Sequence, residues 1–172
     1  NDISALAFRG DGNTDGLRLQ MQYSGVNKHW TSSGKFRDVG WYHIVMAVHL
    51  YGSAGERVRI YINGERDYGS WTTGSEPDSS NQYYFNHTTE HRIGSSTSFP
   101  TAIDGYMSQL YWLDGLDATA DDFGYTDSQT GIWRPKKYEG TFGTLGYYLP
   151  FDGKEPVGKD MSGKVMIGHL LN

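Results

Sequence analysis

The chain has no cysteine, only five prolines among 172 residues, and no long apolar run. Without cysteine there is no disulfide scaffold, thiolate zinc site, iron–sulfur cluster or cysteine nucleophile, and the redox compartment stays open. No apolar stretch approaches the roughly 18 to 20 residues of a membrane span, and no signal peptide opens the chain, so the expectation is a soluble protein. Excess positive charge is also missing. With a net charge of −5, no global field attracts phosphate backbones. The one basic run, Arg134-Pro135-Lys136-Lys137, lies near Asp127 and Glu139 and is read as a solvated loop. The first residue is Asn1 rather than methionine, so the chain is read as a piece of a longer or processed one.

What is abundant is glycine, at 23 residues, together with 13 tyrosines, 7 phenylalanines and 5 tryptophans. Glycine supplies the positive φ that tight turns need, and aromatic and β-branched residues fill strands, so the composition is that of an all-β protein. The length fits one domain.

Patterning along the chain agrees. Ile3 to Phe8 leads through Gly10-Asp11-Gly12-Asn13-Thr14-Asp15-Gly16 into Leu17, Leu19, Met21 and Tyr23, which alternate with Arg18, Gln20 and Gln22. This is the period of two of a strand with one wet face, and the pair forms a hairpin. Trp41 to Tyr51 is the longest strand candidate, apolar on both faces and therefore expected at the centre of a sheet. Val58, Ile60 and Ile62 alternate with Arg57, Arg59 and Tyr61 before Asn63-Gly64, the strongest short hairpin signal present. Ser70 to Gln82 reads as an exposed loop, Ile103 to Leu113 as a second long strand, and Tyr147 to Phe151 and Val165 to Ile167 as later strands. Thr119 caps a single helical turn whose Asp121 and Asp122 complement its positive end, with Gly124 ending it. The expected fold class is an all-β, antiparallel two-sheet β-sandwich.

Two blocks, Phe36-Arg37-Asp38-Val39-Gly40-Trp41-Tyr42-His43-Ile44-Val45-Met46-Ala47-Val48 and Arg57-Val58-Arg59-Ile60-Tyr61-Ile62-Asn63-Gly64, are joined by later ones. These are His91-Arg92-Ile93-Gly94, Asp104-Gly105-Tyr106-Met107-Ser108-Gln109-Leu110, Leu113-Asp114-Gly115, Asp122-Phe123-Gly124, Thr130-Gly131-Ile132-Trp133-Arg134-Pro135-Lys136, and Gly143 to Phe151. The first two resemble concanavalin A-like, laminin-G-like jelly rolls, in which a Trp-x-His strand precedes a strand ending in Asn-Gly. The full series is similar to phage structural proteins. The resemblance implies a jelly-roll body over residues 36–153, preceded by an N-terminal hairpin at 1–35 and followed by a C-terminal tail at 154–172. It also implies a virion surface protein such as a tail fibre, spike or capsid decoration, assembled in the bacterial host cytoplasm. Its partners would be other virion proteins and host surface glycans, in a homo-oligomer with a trimer favoured, and neither nucleic acid nor membrane. Family members carry further strands upstream, whereas 35 residues precede Phe36. The expectation is a fragment or a partner that completes the sandwich. At the other end, Val165-Met166-Ile167 replaces the family's Gly/Asn-rich run.

Enzymatic and binding chemistry can be weighed residue by residue. Glycoside hydrolysis needs two carboxylates about 5 to 9 Å apart. The only strand-placed pair, Glu65 and Asp67, directly follows a hairpin turn where exposed charges are ordinary. No nucleophile elbow or phosphate loop occurs, and a non-enzymatic protein is expected. Asp11, Asn13 and Asp15 follow the opening spacing of a calcium loop, with Asp104 as a distant helper. Position twelve is Gln22 rather than a bidentate glutamate, so this is no EF-hand, and the same letters spell a solvated turn. Calcium is the one candidate cofactor. His43 and His49 stand about 20 Å apart along one strand face, too far to share a metal, and are read as core or interface histidines. Arg9-Gly10-Asp11 is read as coincidental, and the sequon Asn86-His87-Thr88 carries little meaning without evidence of secretion. Carbohydrate binding rests on exposed aromatic faces, expected in loops. Trp71, Tyr83, Tyr84, Trp30 and Trp133 meet that criterion, whereas Trp41, Tyr61, Tyr106 and Trp112 are expected in the core.

Overall fold

The computed structural model describes residues 4–9, 15–81, 83, 85, 87, 89–95, 102–154 and 156–163. Among them are eleven strands: β1 (Ser4–Arg9), β2 (Gly16–Tyr23), β3 (Val26–Thr31), β4 (Ile44–Val48), β5 (Val58–Ile62), β6 (Glu65–Asp67), β7 (Ser70–Thr73), β8 (Leu110–Trp112), β9 (Gly124–Thr126), β10 (Trp133–Pro135) and β11 (Tyr147–Leu149). All pair antiparallel, in a four-stranded sheet β1-β2-β3-β7, a three-stranded sheet β4-β5-β6, and the ribbons β9–β10 and β8–β11. The protein is essentially all-β. Among the described residues no helix is long and apolar enough to cross a membrane. The chain divides into two compact units, Asn1–Thr89 with Asp117–Tyr138, and Glu90–Leu116 with Glu139–Asn172. The sequence shows no linker because each unit takes two separate stretches of chain.

In the first unit, the alternation of β2 puts Leu17, Leu19 and Met21 at 1 % exposure or less. They form one buried cluster with Trp30 of β3, Ile60 of β5 and Tyr83, joined by half-buried Leu6, Ile44, Met46, Val58, Ile62 and Trp71. Inner faces of both sheets therefore contribute to one core, as when sheets pack face to face. Each fully buried aliphatic side chain contributes about 1.5 to 3 kcal/mol.

Hairpin turns fall where glycine and asparagine permit them. Ser24-Gly25 (φ 47° and 80°) joins β2 to β3, and Asn63-Gly64 (φ 50° and 84°) joins β5 to β6, the left-handed pair of a type I′ turn.

Several expectations are corrected. Trp41 to Tyr51 shrinks to β4, which lies at one edge of its sheet, with β5 in the centre. Trp41 and Tyr51 are exposed. Strand β3, read as loop, pairs fully with β2. Its inward positions are Lys28 and Trp30, and the lysine hides the apolar alternation. Lys28 is buried, with its ammonium donating to Ser75 O at 3.1 Å, Ser75 Oγ at 3.3 Å and Glu76 O at 3.5 Å. The loop Ser70 to Gln82 begins as β7, a polar strand recruited by Trp71 opposite Trp30. The 3₁₀ turn Ala120–Asp122 is capped by Phe123, and Gly124 after it opens β9, where the Trp133 ring occupies the place a Cβ would take. Val165 to Ile167 lie outside the described residues.

In the second unit, the strand expected over Ile103 to Leu113 is only β8. Its partner β11 runs into Pro150, which has no N–H to extend the ladder. Gln109 there turns to a left-handed φ of 55° and donates its N–H to Pro150 O at 3.0 Å. Aromatic pairs line the ribbon, with Tyr111 on Tyr148 at 4.4 Å and Trp112 beside Tyr147 at 6.1 Å.

Candidate functional site

Three stretches distant in sequence meet at Trp133. Its ring lies over Gly64 of the β5–β6 turn and Gly124 of β9, where an added Cβ would come within 2.2 and 2.3 Å of it. Only glycine leaves that slot. Trp133 Nε1–H donates to His43 Nδ1 at 3.1 Å. His43 sits one residue before β4, in register with Asn63. Its N–H donates to Asn63 Oδ1 at 2.9 Å, and Asn63 N–H donates to His43 O at 2.8 Å. Burial lowers the His43 pKa below its ordinary value. The segment 117–138 is tied to the same sheet by the Arg59–Asp117 ion pair. Ala120 and Phe123 of this segment are buried.

The proposed sugar-facing aromatics divide sharply. Trp30 is 4 % exposed and Tyr83 8 %. Both belong to the core cluster. Trp30 lies in β3 and satisfies its indole by donating to Tyr68 O at 3.2 Å. Trp71 in β7 and Trp133 in β10 are half-buried strand residues. The loop placement on which these were chosen is thus corrected for Trp30, Trp71 and Trp133. Strands turn their aromatics inward where a second layer covers them. Tyr84 lies outside the described residues. Conversely, Trp41 (70 % exposed) and Tyr106, expected in the core, are open to solvent, while Tyr61 and Trp112 sit half-buried in strands.

One exposed ring that sequence reasoning passed over is Tyr68, 76 % exposed. The Arg66 guanidinium lies 4.8 Å from its centroid. That guanidinium donates to both Glu56 carboxylate oxygens at 2.8 Å and to Gly55 O at 2.7 Å, so one face of the ring rests on a fixed cation. A signal was available, since Tyr68 follows the charged run Glu65-Arg66-Asp67 and precedes Gly69, a context unusual for a core tyrosine.

Carboxylates serve the backbone. Asp67 accepts from Ser33 N–H at 3.0 Å, Ser33 Oγ at 2.7 Å and Gly69 N–H at 2.8 Å. Glu76 accepts from Gly55, Arg57 and Val58 N–H at 2.5, 3.0 and 3.1 Å, clamping the β4–β5 loop. Asp15, a calcium candidate, accepts from Arg37 Nε at 2.6 Å. Asp104 is exposed, and Asp11 and Asn13 lie outside the described residues, as do Gly10, Asn86 and Thr88 of the two short motifs. Among the described residues no three His, Asp or Glu side chains gather closely enough to hold a metal ion. His49 is exposed. Arg134 and Pro135 of the basic run belong to β10, and all four of its residues are exposed.

No protein-family model, curated protein or solved structure matches this chain.

Proposed function

We propose that this chain is a non-enzymatic attachment module of a phage particle, part of a fibre, spike or capsid decoration. In this reading it is a lectin-like jelly roll of the concanavalin A-like, laminin-G-like class, and it takes host surface glycan on exposed aromatic rings. The observation that carries the reading is Tyr68, a solvent-facing ring held in place by Arg66 and Glu56. A ring fixed before binding loses little conformational freedom when a sugar stacks on it, and many copies on one particle would multiply a weak single contact. Support for the fold class comes from the blocks that carry the resemblance. Trp41-x-His43, Asn63-Gly64 and Gly131 to Lys136 converge on the Trp133 slot. The Leu113-Asp114-Gly115 block likewise binds the one beginning at Gly143, with Leu145 N–H donating to Asp114 Oδ2 at 3.0 Å.

Support for the non-enzymatic part comes from the carboxylates. A glycosidase acid needs a raised pKa. Asp78, Asp127 and Asp152 are each lowered by the hydrogen bonds they accept. Asp67 is occupied by Ser33 and Gly69.

A second reading, a structural capsid or fibre component without ligand, is favoured by the burial of Trp30 and Tyr83. It is favoured also by the open Val39 and Trp41, which fit contact with a neighbouring subunit.

A glycan array probed with and without calcium tests the choice. Binding by the wild type that is lost in Tyr68→Ala with the fold retained by circular dichroism supports the glycan reading. Absence of binding to every glycan, with stable assembly on particles, overturns it in favour of the structural one. Release of reducing sugar that vanishes in Glu65→Gln would overturn the non-enzymatic reading.

A further inference from the structure

We infer that the His43–Trp133 hydrogen bond is an acid-sensitive latch holding the 117–138 segment against the three-stranded sheet. Indole Nε1 carries one hydrogen and no lone pair for accepting, so it can only donate. His43 Nδ1, 3.1 Å away, must therefore present its lone pair, which makes the ring neutral with its hydrogen on Nε2. Protonation puts a second N–H donor where the acceptor was and a positive charge in a half-buried position.

The His43 backbone and the Trp133 ring are both anchored. His43 is held at both backbone groups by Asn63, at 2.9 and 2.8 Å. Trp133 fills the slot over Gly64 and Gly124. The repulsion is relieved by lifting the β9–β10 ribbon from the sheet, which uncovers Trp133.

The charged groups around the ring do not compete with this reading. Register places Arg66 on the same face of the sheet, and it is held by Glu56. Arg59, also on that face, pairs with Asp117. Glu65 lies on the opposite face, across from Ile62. Of the 117–138 segment, Asp127 is bound by its own turn through Gln129 and Thr130 N–H, both at 2.9 Å. Arg134 alternates away from Trp133 and is exposed opposite Tyr125. The downward shift of the His43 pKa accordingly has burial as its cause.

The sign follows. A released imidazole titrates near about 6.5, and the latched one titrates lower. The latch contributes its full stability above the released value and loses it as pH falls through the latched value.

The test follows the Trp133 indole N–H and the His43 ring by NMR on the full chain, from about pH 7.5 to about pH 4.5. The indole resonance is expected to shift in one step coincident with the His43 titration, with a red shift of tryptophan fluorescence. In His43→Asn, Oδ1 stands where Nδ1 stood and does not titrate, so the step is expected to disappear. A wild-type indole resonance that stays flat while His43 titrates, or an unchanged step in His43→Asn, overturns the latch. Should that variant not fold, Trp133→Phe keeps an aromatic ring in the slot without the donor. Burial is kept but the hydrogen bond to the neutral ring is gone, so the His43 pKa is expected to rise part of the way toward its ordinary value, and an unchanged pKa overturns the proposal.

Discussion

The two compact units reach order by different means. In the first, strands alternate and large side chains disappear from solvent, including Leu17, Leu19, Met21, Trp30 and Ile60. In the second, Leu149 is the one hydrophobic side chain among the described residues that counts as buried. There, short strands are held by backbone and carboxylate hydrogen bonds. Asp160 accepts from Tyr148 N–H and Ser162 N–H at 2.9 Å, while Met161 N–H donates to Tyr148 O at 2.8 Å, so the 160–162 stretch covers the outer edge of β11. An edge strand with unpaired groups invites aggregation, and a side chain plus a short stretch of backbone is enough to close it. Where few of the described apolar side chains are buried, local polar contacts and stacked rings hold the strands, in smaller increments that depend on specific residues.

The comparison breaks most readily at the core. Leu19→Ala, at a fully buried site, is expected to cost about 3 to 5 kcal/mol in urea unfolding of the full chain, and Leu149→Ala about 2 kcal/mol. Equal losses would show that the second unit relies on a core after all.

Next come two glycines with left-handed φ and no room for a Cβ. At Gly64 (φ 84°) the obstacle is the Trp133 ring, while at Gly143 (φ 74°) it is the Asp114 carbonyl oxygen, 1.7 Å from the added atom. A ring can shift and a paired backbone cannot. Both alanine variants are expected to lose about 2 to 3 kcal/mol, Gly143→Ala the more, as read from thermal midpoints.

Smaller effects are expected at the carboxylate clamps. Glu76→Gln in the first unit and Asp160→Asn in the second each weaken charge-assisted acceptors, at about 1 to 2 kcal/mol. Hydrogen exchange should quicken at Gly55, Arg57 and Val58 in the one, and at Tyr148 and Ser162 in the other. Faster exchange spread over β2 as well would contradict the local role.

The smallest effect is acid sensitivity from exposed aspartates in both units. Hydrogen bonds from the Ser80 hydroxyl and N–H lower Asp78, those from Thr130 and Gln129 N–H lower Asp127, and those from the Lys154 side chain and N–H lower Asp152. Their stabilisation is present above the ordinary carboxyl value near about 3.9 and is lost as pH falls through the lowered values. Titration by carbonyl-carbon NMR should show all three below that value. Any one at or above it would remove its clamp from the account.

Reading strands from sequence succeeded where one face is wet and the other dry. Leu17, Leu19 and Met21 announced β2, and Asn63-Gly64 announced the turn between β5 and β6, because both signals are local. It failed where a neighbour decides. Lys28 occupies an inward position of β3 only because Ser75 and Glu76 supply oxygens to its ammonium, so no alternation marks that strand. Ser70 to Thr73 is polar and became strand through pairing with β3. Candidate ring placement failed for the same reason. The rule that loop aromatics face solvent and strand aromatics face the core sent Trp30 to the surface and Trp41 to the interior, each opposite to its observed place.

Composition and periodicity, acting through the backbone alone, were sufficient to make this chain all-β, to forbid thiol chemistry, and to set the tight turns, since each depends on one residue and its immediate neighbours. Which rings are buried, which carboxylates are occupied, and that the Trp133 indole meets the His43 imidazole were settled only in three dimensions. These properties depend on groups up to 90 residues apart in sequence, and burial and hydrogen bonding respond to distance in space.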